Sequence, residues 1–226
     1  MKLILIIFIR LNSKRLKNKG ILKIGDKTII EIILMRCLKA FPKNKIVIAT
    51  SKKRNNDKLF KILKKYKVNF FRGSENNIRN RSLLCCKKFN AHWFIRINAD
   101  RPFFDYSQLI KMIKLFKSNK YDIVTNINSH SKIKGLTLEL IKYNIFKKIN
   151  KKLKKSDSEH IFYYFYRNKN DYKIKNLNQS KKKMNINLAL DYKSNLNKIR
   201  KIYKYFNYNY YVKTPKVINL VKKKKW

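Results

Sequence analysis

Glycine and proline are scarce in this sequence, four and three residues in a chain of 226. Neither common glycine-based phosphate-loop signature is present: GxxxxGK(S/T) and GxGxxG are both absent. Cys37, Cys85 and Cys86 form an odd set, two of them adjacent, with no CxxC spacing. That argues against a disulfide framework and a CxxC zinc site, and it fits a reducing cytoplasm. No apolar run reaches the length of a membrane span. The opening MKLILIIFIR has the charge and apolar stretch of a secretory leader, but the stretch is short, no small-residue cleavage site follows, and more cations come next. It reads instead as a strand buried on both faces, as in a parallel sheet.

Acids are the scarcest charged class. Twelve Asp and Glu face 58 Lys and Arg, a formal net charge of +46. At face value such a balance points to nucleic acid or an anionic membrane. However, Lys, Asn and Ile are abundant everywhere while Gly, Pro and Ala are rare, which is the bias of A/T-rich codons. The lysines are also spread along the whole chain instead of forming one arm. The charge is therefore read as background composition, with nucleic acid bound only non-specifically and at some cost in self-repulsion.

Short apolar runs alternate with helical patterns through the first half. Strands are expected at 2–9, 45–50, 67–71, 92–99 and 122–126, and helices at 27–41, 55–66 (capped by Asn55 or Asn56), 77–89 and 106–118. This βαβα order predicts a doubly wound α/β sheet, mostly parallel, with helices on both faces and ligands at the carboxyl ends of the strands. The second half is less regular. Strands are expected at 135–141 and 185–192, and helices at 156–167, opened by Ser156 and Glu159 in capping-box spacing, and at 195–206. One domain over 1–212 is expected, with a small appended lobe at about 133–176. A basic tail is expected at 213–226, with the lysine run that ends it frayed.

What the sequence does have is a crowd of cations directly behind its first apolar run. IRLNSKRLKNKG (9–20) places Arg10, Lys14, Arg15, Lys17 and Lys19 among Asn12, Ser13, Asn18 and Gly20. A strand followed by such a loop suits phosphate, since backbone N–H groups cradle oxygens and the cations neutralise charge. R-L-N-S-K-R-L-K-N-K (10–19) resembles the signature R-x-x-S-x-R-L-P-x-K of the cytidylyltransferases that make CMP-activated sugars. These include the acylneuraminate, 3-deoxy-manno-octulosonate and SpsF-like spore-coat polysaccharide enzymes. Further segments follow in register: IVIATS, FRGSENNIRNR (71–81), FIRINADRPFFD (94–105), GLTLEL, SEHIFYYFYRN and LALDYKSNL (188–196). The resemblance covers residues 3 to about 206.

The resemblance implies a Rossmann-like nucleotidyltransferase that joins CTP to a sugar, expected to be an acidic nonulosonic or ulosonic acid, for surface polysaccharide. It implies that Arg10, Ser13, Arg15 and Lys19 hold the triphosphate and that Ala49, Thr50, Arg72 and Gly73 border the nucleoside. It also implies that Asp100 and Asp191, each ending a strand, hold Mg²⁺, a hard ion suited to carboxylates. Asp191 is equally placed to cap the next helix. Lys17 replaces the pattern's proline, and Thr137, Asn80 and Asn195 stand where it has acids, leaving Glu139 as the carboxylate nearest Thr137. Two rival readings stay open: a glycosyltransferase of related topology, and a weakened relative that binds polyanions. His92 and His130 read as structural or surface residues, Glu159 and His160 as a helix start packed near the site, Cys85 and Cys86 as helix packing, and the aromatic run IFYYFY as core or as the contact of the homodimer that the resemblance implies.

Overall fold

All six residues of the first strand are buried, and their alternation divides the interior in two. Leu3, Leu5 and Ile7 enter one hydrophobic cluster, and Ile4, Ile6 and Phe8 enter another on the opposite face. This is the pattern of a strand covered on both sides. The computed structural model describes residues 1–127, 132–149, 162–177 and 184–226. His130, Ser156, Glu159 and His160 lie outside the described residues.

In chain order the elements are β1 (Leu3–Phe8), β2 (Lys23–Ile24), β3 (Lys27–Thr28), α1 (Ile29–Leu38), β4 (Ile46–Ser51), α2 (Asp57–Leu63), β5 (Asn69–Gly73), α3 (Ile78–Lys88), β6 (Trp93–Asn98), α4 (Tyr106–Ser118), β7 (Ile123–Thr125), β8 (Lys132–Lys134), β9 (Glu139–Lys142), α5 (Tyr143–Lys148), α6 (Phe162–Arg167), β10 (Ile174–Asn176), β11 (Asn185–Asn187), α7 (Lys193–Tyr205) and α8 (Thr214–Lys223). The central sheet has seven strands in the order β10-β7-β9-β6-β1-β4-β5. Its pairings are parallel except those of β9, which runs antiparallel between β6 and β7. This is the expected mostly parallel α/β sheet. Residues of α1, α2, α4, α7 and α8 pack in the first cluster, and residues of α3, α5 and α6 in the second.

Several boundaries differ from the sequence reading for local reasons. The helix expected at 55–66 is α-helical only over α2, with 3-10 turns on either side. Asn56 stands at its N-cap position without capping it, because its amide bonds Leu11 N at 3.1 Å and Ser51 Oγ at 2.8 Å. The strand expected at 185–192 pairs only over β11, and Leu188 and Leu190 continue as buried loop. The lysine-rich end does not fray over its whole length. Pro215 opens α8, and Val217, Leu220 and Val221 are buried beneath the lysines. The aromatic helix α6 is core: Phe162, Tyr164 and Phe165 are buried, and Phe162 and Phe165 lie 6.1 and 6.4 Å from the Phe146 ring. Cys85 and Cys86 are buried on α3, and His92 accepts a hydrogen bond from Lys2 N.

Candidate functional site

A cleft of about 1690 Å³ opens over the carboxyl ends of β1 and β6. The cation-rich loop forms one wall of it. Leu11, only 1% exposed, anchors the loop in the core, and its N–H donates to the Asn56 amide. Asn18 closes the loop by donating to Leu11 O at 3.0 Å from a left-handed backbone (φ 57°), a conformation Asn tolerates. A side chain at Gly20 would place its Cβ 2.4 Å from Ile9 Cδ1. With both ends held, Asn12, Lys14, Arg15 and Lys17 are left exposed.

Lys19 is where distant segments meet. Its ammonium donates to Asp100 Oδ2 at 3.1 Å, Asp191 Oδ1 at 3.3 Å and Leu190 O at 3.0 Å. Arg15 reaches the same Asp191 oxygen at 3.2 Å and lies over the Tyr192 ring. A backbone bond from Leu190 N to Asp100 O (2.9 Å) joins the two acid-bearing turns. Asp191 does not cap α7. The Asn195 amide oxygen accepts from the N–H groups of Asp191 and Tyr192, which fixes the turn and leaves the Asp191 carboxylate facing the cations. Burial works to raise the Asp100 carboxyl, but Lys19 and Arg101 outweigh it and hold it below its ordinary value.

Arg10, Ser13, Arg15, Lys19, Asp100 and Asp191 therefore line one cleft. Ala49 and Thr50 do not. They are fully buried within β4. Arg72 and Gly73 line a separate hollow of about 680 Å³, where Arg72 pairs with Asp57 and covers the Phe60 ring. Glu139 lines the cleft but is held by its neighbours there: it binds Arg96 at 2.8 Å and accepts from Tyr166 at 3.2 Å. Arg101 donates to the carbonyl of Thr137, the residue that stands where an acid was expected.

Among the described residues no group of three His, Cys, Asp or Glu is placed to hold a metal ion. Asp100 and Asp191 alone fit Mg²⁺, which commonly takes one or two carboxylates and completes its shell with substrate phosphates and water. Sequence reasoning gave no role to Arg81, Arg96 and Asn98. All three line the cleft, and each has a buried polar atom without a hydrogen-bond partner. Arg81 closes the FRGSENNIRNR segment, but nothing in that pattern shows its burial.

The profile of a family described as cytidylyltransferase matches residues 4–217. The chain belongs to the cytidylyltransferase family. It is 34% identical over 175 residues to an uncharacterized protein of Methanocaldococcus jannaschii, covering 77% of this chain and 71% of that one. The 3-deoxy-manno-octulosonate cytidylyltransferase of Rickettsia prowazekii is 31% identical over 127 residues, 52% of this chain and 48% of that enzyme, so the match spans about half the length of that relative. A solved cytidylyltransferase from Leptospira borgpetersenii superposes with a TM-score of 0.91 at 26% identity, covering 100% of this chain and 95% of that one. CMP:2-keto-3-deoxy-manno-octonic acid synthetase, solved with CTP, shares the fold at a TM-score of 0.68 and 12% identity, with 91% and 99% covered. The chain is thus a nucleotidyltransferase, and no described helix of this cytidylyltransferase is long and apolar enough to cross a membrane.

Proposed function

We propose that this cytidylyltransferase transfers CMP from CTP to a hydroxyl of an acidic sugar of the ulosonic or nonulosonic type, for surface polysaccharide. The observation that carries this reading is the convergence of Lys19 on Asp100 and Asp191 beside the cation-bearing loop. The relatives named for 3-deoxy-manno-octulosonate support the acidic acceptor. In the reaction the acceptor hydroxyl gives up its proton to solvent as its oxygen bonds to the α-phosphorus, the bond from that phosphorus to the β-bridging oxygen breaks, and its electron pair leaves with pyrophosphate. Arg10, Arg15 and Lys19 neutralise the triphosphate, Ser13 and nearby backbone amides add hydrogen bonds, and the anchored loop holds the α-phosphorus in place for attack. Asp100 and Asp191 would hold Mg²⁺, whose chemistry when bound is to neutralise phosphate oxygens. Three unpaired cysteines are consistent with a cytoplasmic setting.

The aromatic helix packs Phe162 and Phe165 on the chain's own Phe146, so a homodimer, the other half of this reading, would use a surface besides that contact, and light scattering across a salt series tests it. Thermal shift tests the nucleotide reading. CTP is expected to raise the melting temperature at low salt, and Arg15→Ala to remove much of that rise, because a guanidinium fork matches phosphate oxygens. No shift with CTP alongside a large shift with heparin would favour the polyanion-binding alternative. A panel of ulosonic acids and neutral sugars, scored by pyrophosphate release, identifies the acceptor.

A further inference from the structure

Arg81 is a deeply buried cation of the cleft wall with which no carboxylate of the described residues is paired. It rises from α3 into the cleft wall and is 2% exposed. Its Nε and Nη1 have no hydrogen-bond partner, and among the described residues no carboxylate lies within ion-pair distance of it. Its guanidinium lies 5.5 Å from the centre of the Phe8 ring. Its electrostatic neighbours include two more guanidiniums, Arg10 and Arg96, and burial first and Arg10 next push the group down to about 10, only partly opposed by the Glu75 carboxylate, which is not in contact with it. Arg96 is already answered by Glu139 at 2.8 Å, whereas Arg10 makes no ion pair and has long bonds to the carbonyl of Glu75 and the amide of Asn76, with the Glu75 carboxylate shared with Lys53. The fold also keeps space for this side chain, since a Cβ at Gly73 would sit 2.9 Å from Arg81 Cγ.

A desolvated guanidinium without a counter-charge is unfavourable in the protein alone. Beside a second, half-free guanidinium it makes a strong receptor for an oxyanion. We propose that Arg81, with Arg10, receives an anionic oxygen group of the substrates, either a phosphate of the nucleotide or the carboxylate of an acidic acceptor. The assignment rests on the cytidylyl-transfer reading for its substrates, but the binding chemistry stands on the geometry.

Calorimetric titration of the full chain with tripolyphosphate, CTP, cytidine and N-acetylneuraminate tests it, using Arg81→Met and Arg81→Lys. Arg81→Met is expected to weaken one oxyanion ligand by about tenfold or more while cytidine binding is unchanged, and Arg81→Lys to recover part of the loss. A loss on tripolyphosphate and CTP assigns the phosphate, and a loss confined to the acidic sugar assigns the carboxylate. The ligand-free melting temperature of Arg81→Met should hold or rise, because the substitution removes an unanswered buried charge. Oxyanion affinities unchanged in Arg81→Met, or a parallel fall for cytidine with a lower melting temperature, would overturn the proposal. Wild-type protein that binds tripolyphosphate but not CTP would sink the cytidylyl-transfer reading and leave the oxyanion site standing.

Discussion

The Lys19 ammonium, at 3.1 and 3.3 Å from Asp100 and Asp191, and the Arg15 guanidinium, at 3.2 Å from Asp191, together balance the two carboxylates, so the pair presents little net charge to a second cation. A triphosphate that draws the ammonium towards itself frees both carboxylates. Lys19→Met should therefore bind Mn²⁺ without nucleotide about tenfold or more tightly than the wild type, read by electron paramagnetic resonance. Equal affinities would mean that the two acids are not a cation site. The same contacts carry a pH dependence. Asp100 is held below its ordinary 3.8, so the stability it contributes is present above that value and lost as pH falls through the lowered one. The melting-temperature gap between wild type and Asp100→Asn should hold at neutral pH and close below about pH 4. A gap that persists undiminished to about pH 2 would contradict the Lys19–Asp100 assignment.

At the scale of elements, one buried side chain ties the end of the chain to its middle. Arg36 on α1 donates to Phe104 O, Tyr210 O, Val212 O and Thr214 Oγ1 and is fully buried. Arg36→Met strands those acceptors and should cost about 3 kcal/mol or more, with early proteolysis of α8; Arg36→Lys should not rescue it, because an ammonium cannot span the fork. Chemical denaturation with limited proteolysis checks this, and a loss under about 1 kcal/mol would refute the staple. None of these contacts was legible in the sequence, since they join residues 68 to 178 positions apart. What was legible has local causes. Apolar runs marked β1, β4 and, despite Arg96 in its middle, β6, and helical periodicity marked α1, α3 and α4. Two-residue strands such as β2 and β3 carry no period, and the lysines of α8 obscure the spacing of Val217, Leu220 and Val221. In the site, the loop and its two acids were readable because a motif and two strand ends hold them. Arg81 was not, because its burial depends on Gly73 and Phe8 from other strands.

For the molecule as a whole, the scarcity of acids governs how charge is spent. Eight of the twelve acids make ion pairs among the described residues, and Asp105 caps α4. The many remaining cations repel one another, and salt screens them: the Debye length falls from about 10 Å at 0.1 M to about 3 Å at 1 M. The melting temperature should therefore rise with sodium chloride over that range, and a fall would mean that the ion pairs outweigh the self-repulsion. Cytidylyl transfer in the cleft between the cationic loop, Asp100 and Asp191 is the proposal on which these residue roles rest. Its most direct test is label transfer from CTP, labelled in turn at the α- and γ-phosphorus, with an acidic sugar acceptor and Mg²⁺. The α-label is expected on the acceptor and the γ-label in pyrophosphate, with a loss of about 100-fold or more in Asp100→Asn protein that remains folded. Label transfer that proceeds unchanged in Asp100→Asn, or γ-label arriving on the acceptor, would contradict it.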